Sequence, residues 1–450
     1  MHDRIIITQD IMKRRDFIRN GVLSIGAVSL GAGIVNANNK NDSRQEPQPS
    51  QSRLHSIGTV AEPARSLPIV AEADVVVVGG GPAGVAAAIS AARGGASVIL
   101  LERYGFLGGL WTGGEVLPVL NTHGADANGE FVTAIKGVMH DITSRLFDIG
   151  MAINPKAPVV DPEATKYVLA EMLNELNVRV VYHSWASNVI VTANRIEHVV
   201  LETKSGRIAI SGKYFIDCTG DGDIFCWAGE PFTERRHHIG AMWRVGHAEN
   251  SKAGGPTPIS GVRIMHTGGE YNQDGLDVFN LSDLQYRLRK YMWDETQKAR
   301  QAEGCSDLFL LDTPSQIGVR CTRVLSSRHI VTMDETMSRT AYHDVIGMSG
   351  GSIGFTHNGQ KYKARQRPIW QIPYRALLPQ LSHNLLVAGR CFGFDEPLTY
   401  DAREIGTCFV TGQAAGTAAA LALNSRCAVS EVDVATLQKQ LRDQQVLLNC

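Results

Sequence analysis

The chain has 450 residues, 44% of them hydrophobic and 20% charged, with 44 Lys and Arg against 45 Asp and Glu. That is an ordinary globular composition with material for two cores, and a formal net charge of -1 without a polybasic tail leaves no footprint for nucleic acid. The eight cysteines are scattered without a C-x-x-C pair, which excludes zinc, thioredoxin-type and ferredoxin ligand spacing, so no metal is expected.

The first predicted element is an address. Lys13-Arg14-Arg15-Asp16-Phe17 precedes an apolar stretch over residues 22–35 that contains Gly26, Gly31 and Gly33. The stretch is too short and too weakly apolar for a transmembrane helix, which needs ~20 apolar residues. Val35-Asn36-Ala37 closes it with a small-residue cleavage site. Residues 1–37 therefore resemble a Tat export signal, which places the mature chain in the periplasm or otherwise outside the cytoplasm, with no transmembrane segment. Residues 38–69, rich in Asn, Gln, Ser and Pro, read as a disordered linker.

The next elements form one unit. Val75-Val76-Val77-Val78 suits a central parallel strand buried on both faces. Gly79-Gly80-Gly81-Pro82-Ala83-Gly84 follows, giving G-x-G-x-x-G on Gly79, Gly81 and Gly84. An Ala-rich helix spans 85–93, Gly94-Gly95 stops it, and a second strand over 97–101 ends at Glu102-Arg103. Gly79 permits the tight turn, Gly81 lets the backbone approach a diphosphate, and Gly84 lets helix and strand pack closely. The helix start, with Pro82 and Ala83 in its first turn, offers free N–H groups from Ala83 onward to the diphosphate, while a carboxylate at Glu102 accepts ribose hydroxyls.

Later segments select among dinucleotides. Leu107-Gly108-Gly109-Leu110 is a Gly-rich loop soon after the second strand. Ile216-Asp217-Cys218-Thr219-Gly220-Asp221-Gly222-Asp223 is an apolar strand entering a Gly-Asp turn, and Leu385-Leu386-Val387-Ala388-Gly389-Arg390 is another strand-then-Gly unit. Thr411-Gly412-Gln413-Ala414-Ala415-Gly416 reads as a small-residue helix start. With Ile317-Gly318-Val319-Arg320-Cys321-Thr322-Arg323 and Ile372-Pro373-Tyr374-Arg375, these stretches resemble the FAD-dependent oxidoreductases of the glutathione-reductase-like superfamily. They are most similar to the group whose flavin domain also occurs in the heterodisulfide reductase flavoproteins.

The resemblance implies an α/β fold: a Rossmann-type parallel-sheet FAD domain with an inserted α+β substrate domain. It implies FAD contacts from Gly79, Gly81, Gly84 and Glu102 at the ADP moiety, and from Gly108 and Gly109 near the flavin. Val189 is expected by the adenine, and Thr219, Gly220 and Asp221 over the dinucleotide. Arg390, beside Gly389, stands where many relatives carry Asp and is expected to pair with a phosphate. Thr411 to Gly416, with Gly412, Gln413 and Ala414, is expected to aim a helix dipole at the reduced flavin. The chain lacks the iron–sulfur and C-x-x-x-x-C cysteines of some relatives, so neither iron nor dithiol chemistry carries over. Gly350-Gly351-Ser352-Ile353-Gly354 is read as a loop with no strand leading into it, so no second dinucleotide site is expected.

The domain plan is a flavin part over 70–236 and 370–424, an inserted substrate domain over 237–369, and a C-terminal helix within 425–450. Residues 281–302 read as an amphipathic helix and 203–211 as a hairpin. Catalytic candidates lie between Gly389 and Thr411: Asp395 or Glu396 as a base, Tyr400, and Arg403 to orient a carboxylate bidentately. Arg320, Arg323, His123, His237, His238, His247, His343 and His357 are further candidates. The expected function is an exported FAD-dependent oxidoreductase acting on a small organic substrate, a sugar or hydroxy acid, with a quinone, cytochrome or O₂ as electron partner. A lyase or isomerase using FAD without net redox, and an electron-relay flavoprotein, stand as alternatives.

Overall fold

A computed structural model of the chain describes residues 54, 56–267, 269–351, 354–357 and 360–449, apart from the side chains of 355–357 and 364. The export signal, most of the linker and the His357 side chain lie outside the described residues.

The valine run dictates the centre of the molecule. Ile69–Val78 pairs in parallel with Val98–Leu101 on one side and with Gly206–Asp217 on the other, matching Val78 to Leu101 and to Asp217. Side chains alternate along a strand, so Val75, Val77, Val98 and Leu100 enter one core while Val76, Val78, Ile99 and Leu101 enter a second. Arg179–Val181 extends the parallel sheet beyond Val98–Leu101. Gly206–Asp217 is long enough to serve two neighbours on its far edge. Its first half pairs with Arg195–Thr203 in the predicted hairpin, and its last residues pair with Leu385–Val387. Trp185–Thr192 adds a further antiparallel strand to that hairpin.

The first core is closed by Pro82–Arg93 packed on Ile405–Ser425, and glycine makes that contact close. A Cβ on Gly412 would sit 2.1 Å from the Ala83 carbonyl oxygen, and one on Gly416 2.1 Å from that of Ala87. Ile405–Ser425 is the one described helix long and apolar enough to cross a membrane, yet its apolar window is entirely buried within the molecule.

The inserted module has its own core, built from Trp243, Met265, Leu284, Leu288, Met292 and Leu308. A four-stranded antiparallel sheet carries one side of it, in the order Gly255–Pro256, Arg263–His266, Met242–Gly246, Phe309–Asp312. The helix Val278–Ala299 carries the other, starting three residues before the predicted 281 because Asp277 caps Phe279 and Asn280. This separate core runs only from Ile239 to Val319. Val331, Met333, Ile346, Ile369 and Trp370 join the flavin-side core instead, so core packing ends the insertion well short of 369.

A strand does lead into Gly350. Val345–Ser349 is fully buried and runs directly to that glycine. It pairs antiparallel with Trp370–Pro373 in a two-stranded sheet rather than opening a parallel strand–helix unit. Gly350 serves close packing, since a Cβ there would meet the His123 carbonyl oxygen at 1.9 Å.

Candidate functional site

The C-terminal ends of the parallel strands open into a cleft of about 540 Å³, within the usual range for small-molecule sites. At one end lies the Gly-rich turn. Gly79 takes φ +102°, and its N–H donates to Leu101 O at 2.8 Å. A Cβ on Gly84 would fall 1.7 Å from Gly79 O, whereas one on Gly81 would meet nothing nearer than Gly109 Cα at 4.0 Å. Gly81 thus faces open cleft from the helix N-terminus, with Pro82 as the first helical residue. Glu102 is buried and accepts from the Gly80 N–H at 2.7 Å and the Tyr104 N–H at 2.8 Å. Burial raises its pKa against the opposing pull of those bonds.

Gly79, Gly81, Pro82, Ala83, Glu102, Arg103, Gly109, Thr219, Gly220, Gly389 and Arg390 all line this cleft. Gly84 and Gly108 shape it from behind: the Gly108 N–H holds Gly80 O at 2.8 Å. Buried Asp217 organises the later turn by accepting from Thr219, Ile224 and Phe225 N–H groups. Asp221 is turned to Arg390 and Thr322, each at 2.8 Å. Burial works to raise the Asp221 pKa, but Arg390 and Arg103 bring it below the usual value. Arg390 keeps a buried Nε without a hydrogen-bond partner at the cleft wall. An open glycine at a helix start, a carboxylate at the second strand and a guanidinium with a spare donor fit a dinucleotide diphosphate and ribose.

Two expectations need correction. Val189 is buried in the second core and does not reach the cleft. The strand after the helix Pro162–Glu175 is Arg179–Val181, and the chain then turns into the meander, so Ser184, Trp185 and Ala186 line the cleft instead. Gly412, Gln413 and Ala414 are not at a helix start. The helix begins at Ile405, so they lie in its third turn, ~10 Å along the axis. Gln413 accepts from Val138 N–H at 3.0 Å, and Thr411 Oγ1 accepts from Gly389 N–H at 3.0 Å. The helix end that meets the cleft is Glu404, Ile405 and Cys408.

At its other end the cleft runs under the inserted module, against Met242, His266, Thr267, Gln316 and Arg320, with Arg403 opposite. Of the four catalytic candidates, only Arg403 lines it. Asp395 accepts from Met333 N–H at 3.0 Å and Leu398 N–H at 3.1 Å, a clamp on the short helix Met333–Met337. Glu396 is exposed to solvent away from the cleft. Tyr400 sits behind Arg403, 3.4 Å from His238 Nδ1 and edge-on to His237. Burial first, then Arg320, His237 and Arg403, push His238 down to about 4, so it is neutral at pH 7. His123 bonds Thr122 and Thr133, while His247 and His343 are exposed; none lines the cleft. Arg323 binds Asp223 at 3.0 Å and belongs to the turn rather than the cleft. Gly318, Val319 and Arg320 are the cleft residues of that motif, and Arg320 is the charged one. Its place after Gly318-Val319 was the available signal; Gln316, Met242 and His266 carried none.

Behind the cleft wall, Arg244 of the inserted module meets three carboxylates: Asp312 of its own sheet, Asp161 at 3.1 Å and Glu115 at 3.3 Å. Burial, then Asp312, push Glu115 up to about 7 despite Arg244 and Lys166, with Glu163 adding to the rise. Between about 4.5 and about 7 the folded chain therefore holds this proton more tightly than the unfolded one. Stability is expected to fall as pH rises through that window, by up to about 1.4 kcal/mol per unit from this group. Urea unfolding of wild type and Glu115→Gln across pH 4–8 checks it. The two curves should converge near pH 4, part progressively between about 4.5 and about 7 and run parallel above that, with the variant more stable; a gap constant across pH 4–8 would refute the assignment.

A family model described as FAD dependent oxidoreductase matches residues 74–254 and 256–441. A thiamine thiazole synthase of Pyrococcus abyssi is 27% identical over 247 residues, covering 47% of this chain and 91% of the relative. That of Methanococcus vannielii is 31% identical over 155 residues, covering 33% of this chain and 56% of the relative. Among solved structures, a geranylgeranyl bacteriochlorophyll reductase-like protein of Thermoplasma acidophilum shares 15% identity at a TM-score of 0.45, over 84% of this chain and 92% of that one.

Proposed function

The chain belongs to the FAD-dependent oxidoreductase family, and from that premise we propose that it oxidises or reduces a small organic molecule, a sugar or hydroxy acid, held under the inserted module. The observation that carries this reading is the continuity of one cleft from the Gly81 turn to Arg320 and Arg403. FAD is the cofactor, and when bound it supplies the hydride acceptor or donor. The chain's own work is placement. The Gly81 helix start and Arg390 hold diphosphate, Glu102 holds ribose, and Arg403 orients substrate beside the positive end of Ile405–Ser425. The inserted module supplies Met242, His266, Thr267 and Gln316 to the wall of the substrate end.

Finer points belong to the same proposal. The Asp217 turn and the Ile317–Arg323 run support a place beside the flavin domains of heterodisulfide reductases. The twin arginines support export by the Tat route, which carries folded proteins and so suits a chain loaded with cofactor beforehand. Without a second strand–Gly-loop–helix unit among the described residues, a quinone, cytochrome or O₂ is the proposed electron partner rather than resident nicotinamide.

Anaerobic titration of the holoenzyme with sugars and hydroxy acids tests the reading. At least one is expected to bleach the oxidised flavin band or, added to reduced enzyme in its oxidised form, to restore it. Product formation with a spectrum that ends oxidised would instead mark a lyase or isomerase. Fast reduction by a redox protein with no small-molecule turnover would mark an electron relay.

A further inference from the structure

The charge at the far end of the cleft is not balanced. Arg320, from the inserted module, and Arg403, beside the start of Ile405–Ser425, both line the wall there. Among the described residues that line this end, Glu404 is the carboxylate beside them, and it engages Arg403, Nη2 to Oε1 at 3.3 Å; Glu396, whose charge is felt at neighbouring His237, is exposed and does not line the cleft. The buried Nε of Arg403 has no hydrogen-bond partner. Arg320 makes no hydrogen bond or ion pair to any described residue, and the groups nearest in charge are Arg403, Tyr400, Glu404 and Tyr271. The neighbouring histidines add no cation at neutral pH, because His237 and His238 are both held below their ordinary value, chiefly by burial. With Glu404 ionised, two guanidiniums and one carboxylate leave a single positive charge at this end of the cleft, and the rise that burial gives the Glu404 pKa works in the same direction.

An uncompensated, largely desolvated cation is costly unless a ligand supplies its counter-charge. We propose that Arg320 and Arg403 together form a carboxylate-binding subsite, and that the substrate is a monoanionic acid rather than a neutral sugar. A monoanion brings the site to neutrality, whereas a phosphate dianion would leave it negative. The planar fork of each guanidinium matches a carboxylate with two parallel N–H bonds. Burial and then Arg403 lower the Arg320 pKa to about 10, which is the strain such a ligand would relieve. The inference rests on the oxidoreductase reading for the location of the substrate, but it concerns binding alone.

The experiment uses flavin-loaded protein, at constant ionic strength, and follows perturbation of the oxidised flavin spectrum. The probes are gluconate and pyruvate, with inorganic phosphate and neutral glucose alongside. One of the two carboxylates should bind, more tightly than phosphate or glucose. Arg320→Gln should weaken that binding about 100-fold at unchanged flavin content, with Arg320→Lys recovering part of it. Arg320 is the cleaner variant, since it projects from the inserted module rather than from beside the flavin-side helix. No spectral response to either carboxylate, tighter binding of phosphate, or equal carboxylate affinity in Arg320→Gln each overturns the subsite. If glucose bleaches the flavin anaerobically while Arg320→Gln leaves that reaction unchanged, the oxidoreductase reading stands and the carboxylate falls.

Discussion

A Gly81→Val protein is expected to fold and to purify colourless. Gly81 has φ -72° and ψ -175°, extended backbone that a β-branched residue adopts without strain. Its added Cβ would find only Gly109 Cα, at 4.0 Å, so nothing in the polypeptide resists the substitution. What the branched side chain does occupy is the space before the helix N-terminus, where a diphosphate accepts the free N–H groups. Removing that approach should lower flavin affinity at least about 100-fold, the loss of two or more charge-assisted hydrogen bonds. Gly84→Ala should do the opposite. Its single methyl would lie 1.7 Å from the Gly79 carbonyl oxygen and 3.3 Å from Cys218 Cβ, so strand and helix must part. A cost above about 3 kcal/mol is expected, as insoluble or poorly cooperative protein. Flavin content and far-UV circular dichroism, with apo wild type as the reference, separate the two. Full flavin occupancy in Gly81→Val would sink the placement of the diphosphate, and a wild-type melting profile in Gly84→Ala would sink the packing argument.

The same contrast shows what was legible in the sequence. The valine run, the Gly79–Gly84 spacing and Glu102 are local signals, because strand burial, turn conformation and a terminal acid are each decided within a few residues. They predicted the parallel-sheet centre and an FAD-dependent chain correctly. The start of the core helix was not legible in the same way. Thr411 to Gly416 carries the small residues that mark a close approach, but the approach is helix on helix, to Ala83 and Ala87, and composition does not say which surface comes near. The true start, after Glu404, lacks a side-chain cap, so no Ser, Thr, Asp or Asn announced it. Asp395 and Glu396 looked catalytic because acids are conspicuous near a cofactor strand. Only the folded chain reveals that Asp395 faces two backbone N–H groups, while Arg320, some eighty residues earlier, lines the same cleft as Arg403 and feels its charge. Pairings between an insertion and its host have no period or spacing to betray them.

Asp401→Ala is expected to destabilise the fold by about 3–5 kcal/mol, the cost of breaking a buried ion pair from one side. Asp401 is fully buried, and its carboxylate meets Arg367, itself 2% exposed. The backbone of Asp401 also anchors the start of the core helix. Its carbonyl oxygen accepts from Thr407 Oγ1 at 2.9 Å and from Glu404 N–H at 3.3 Å. Thr407 in turn bonds Ser349 at 2.8 Å and Asn121 at 2.5 Å, so one buried polar network ties three distant segments to the residues flanking Arg403. Loosening Asp401 should therefore lower substrate affinity as well as stability, although Asp401 does not line the cleft. The double variant Arg367→Met/Asp401→Leu separates these effects, because replacing both charges with apolar groups of similar bulk removes the desolvation cost along with the attraction. It should recover most of the stability lost by Asp401→Ala. Urea unfolding of the wild type, Arg367→Met, Asp401→Leu and the double variant closes the cycle, with Asp401→Ala measured alongside. A coupling energy below about 1 kcal/mol would mean that Arg367 and Asp401 are neighbours without being partners, and that the position of Arg403 depends on the Thr407 network alone.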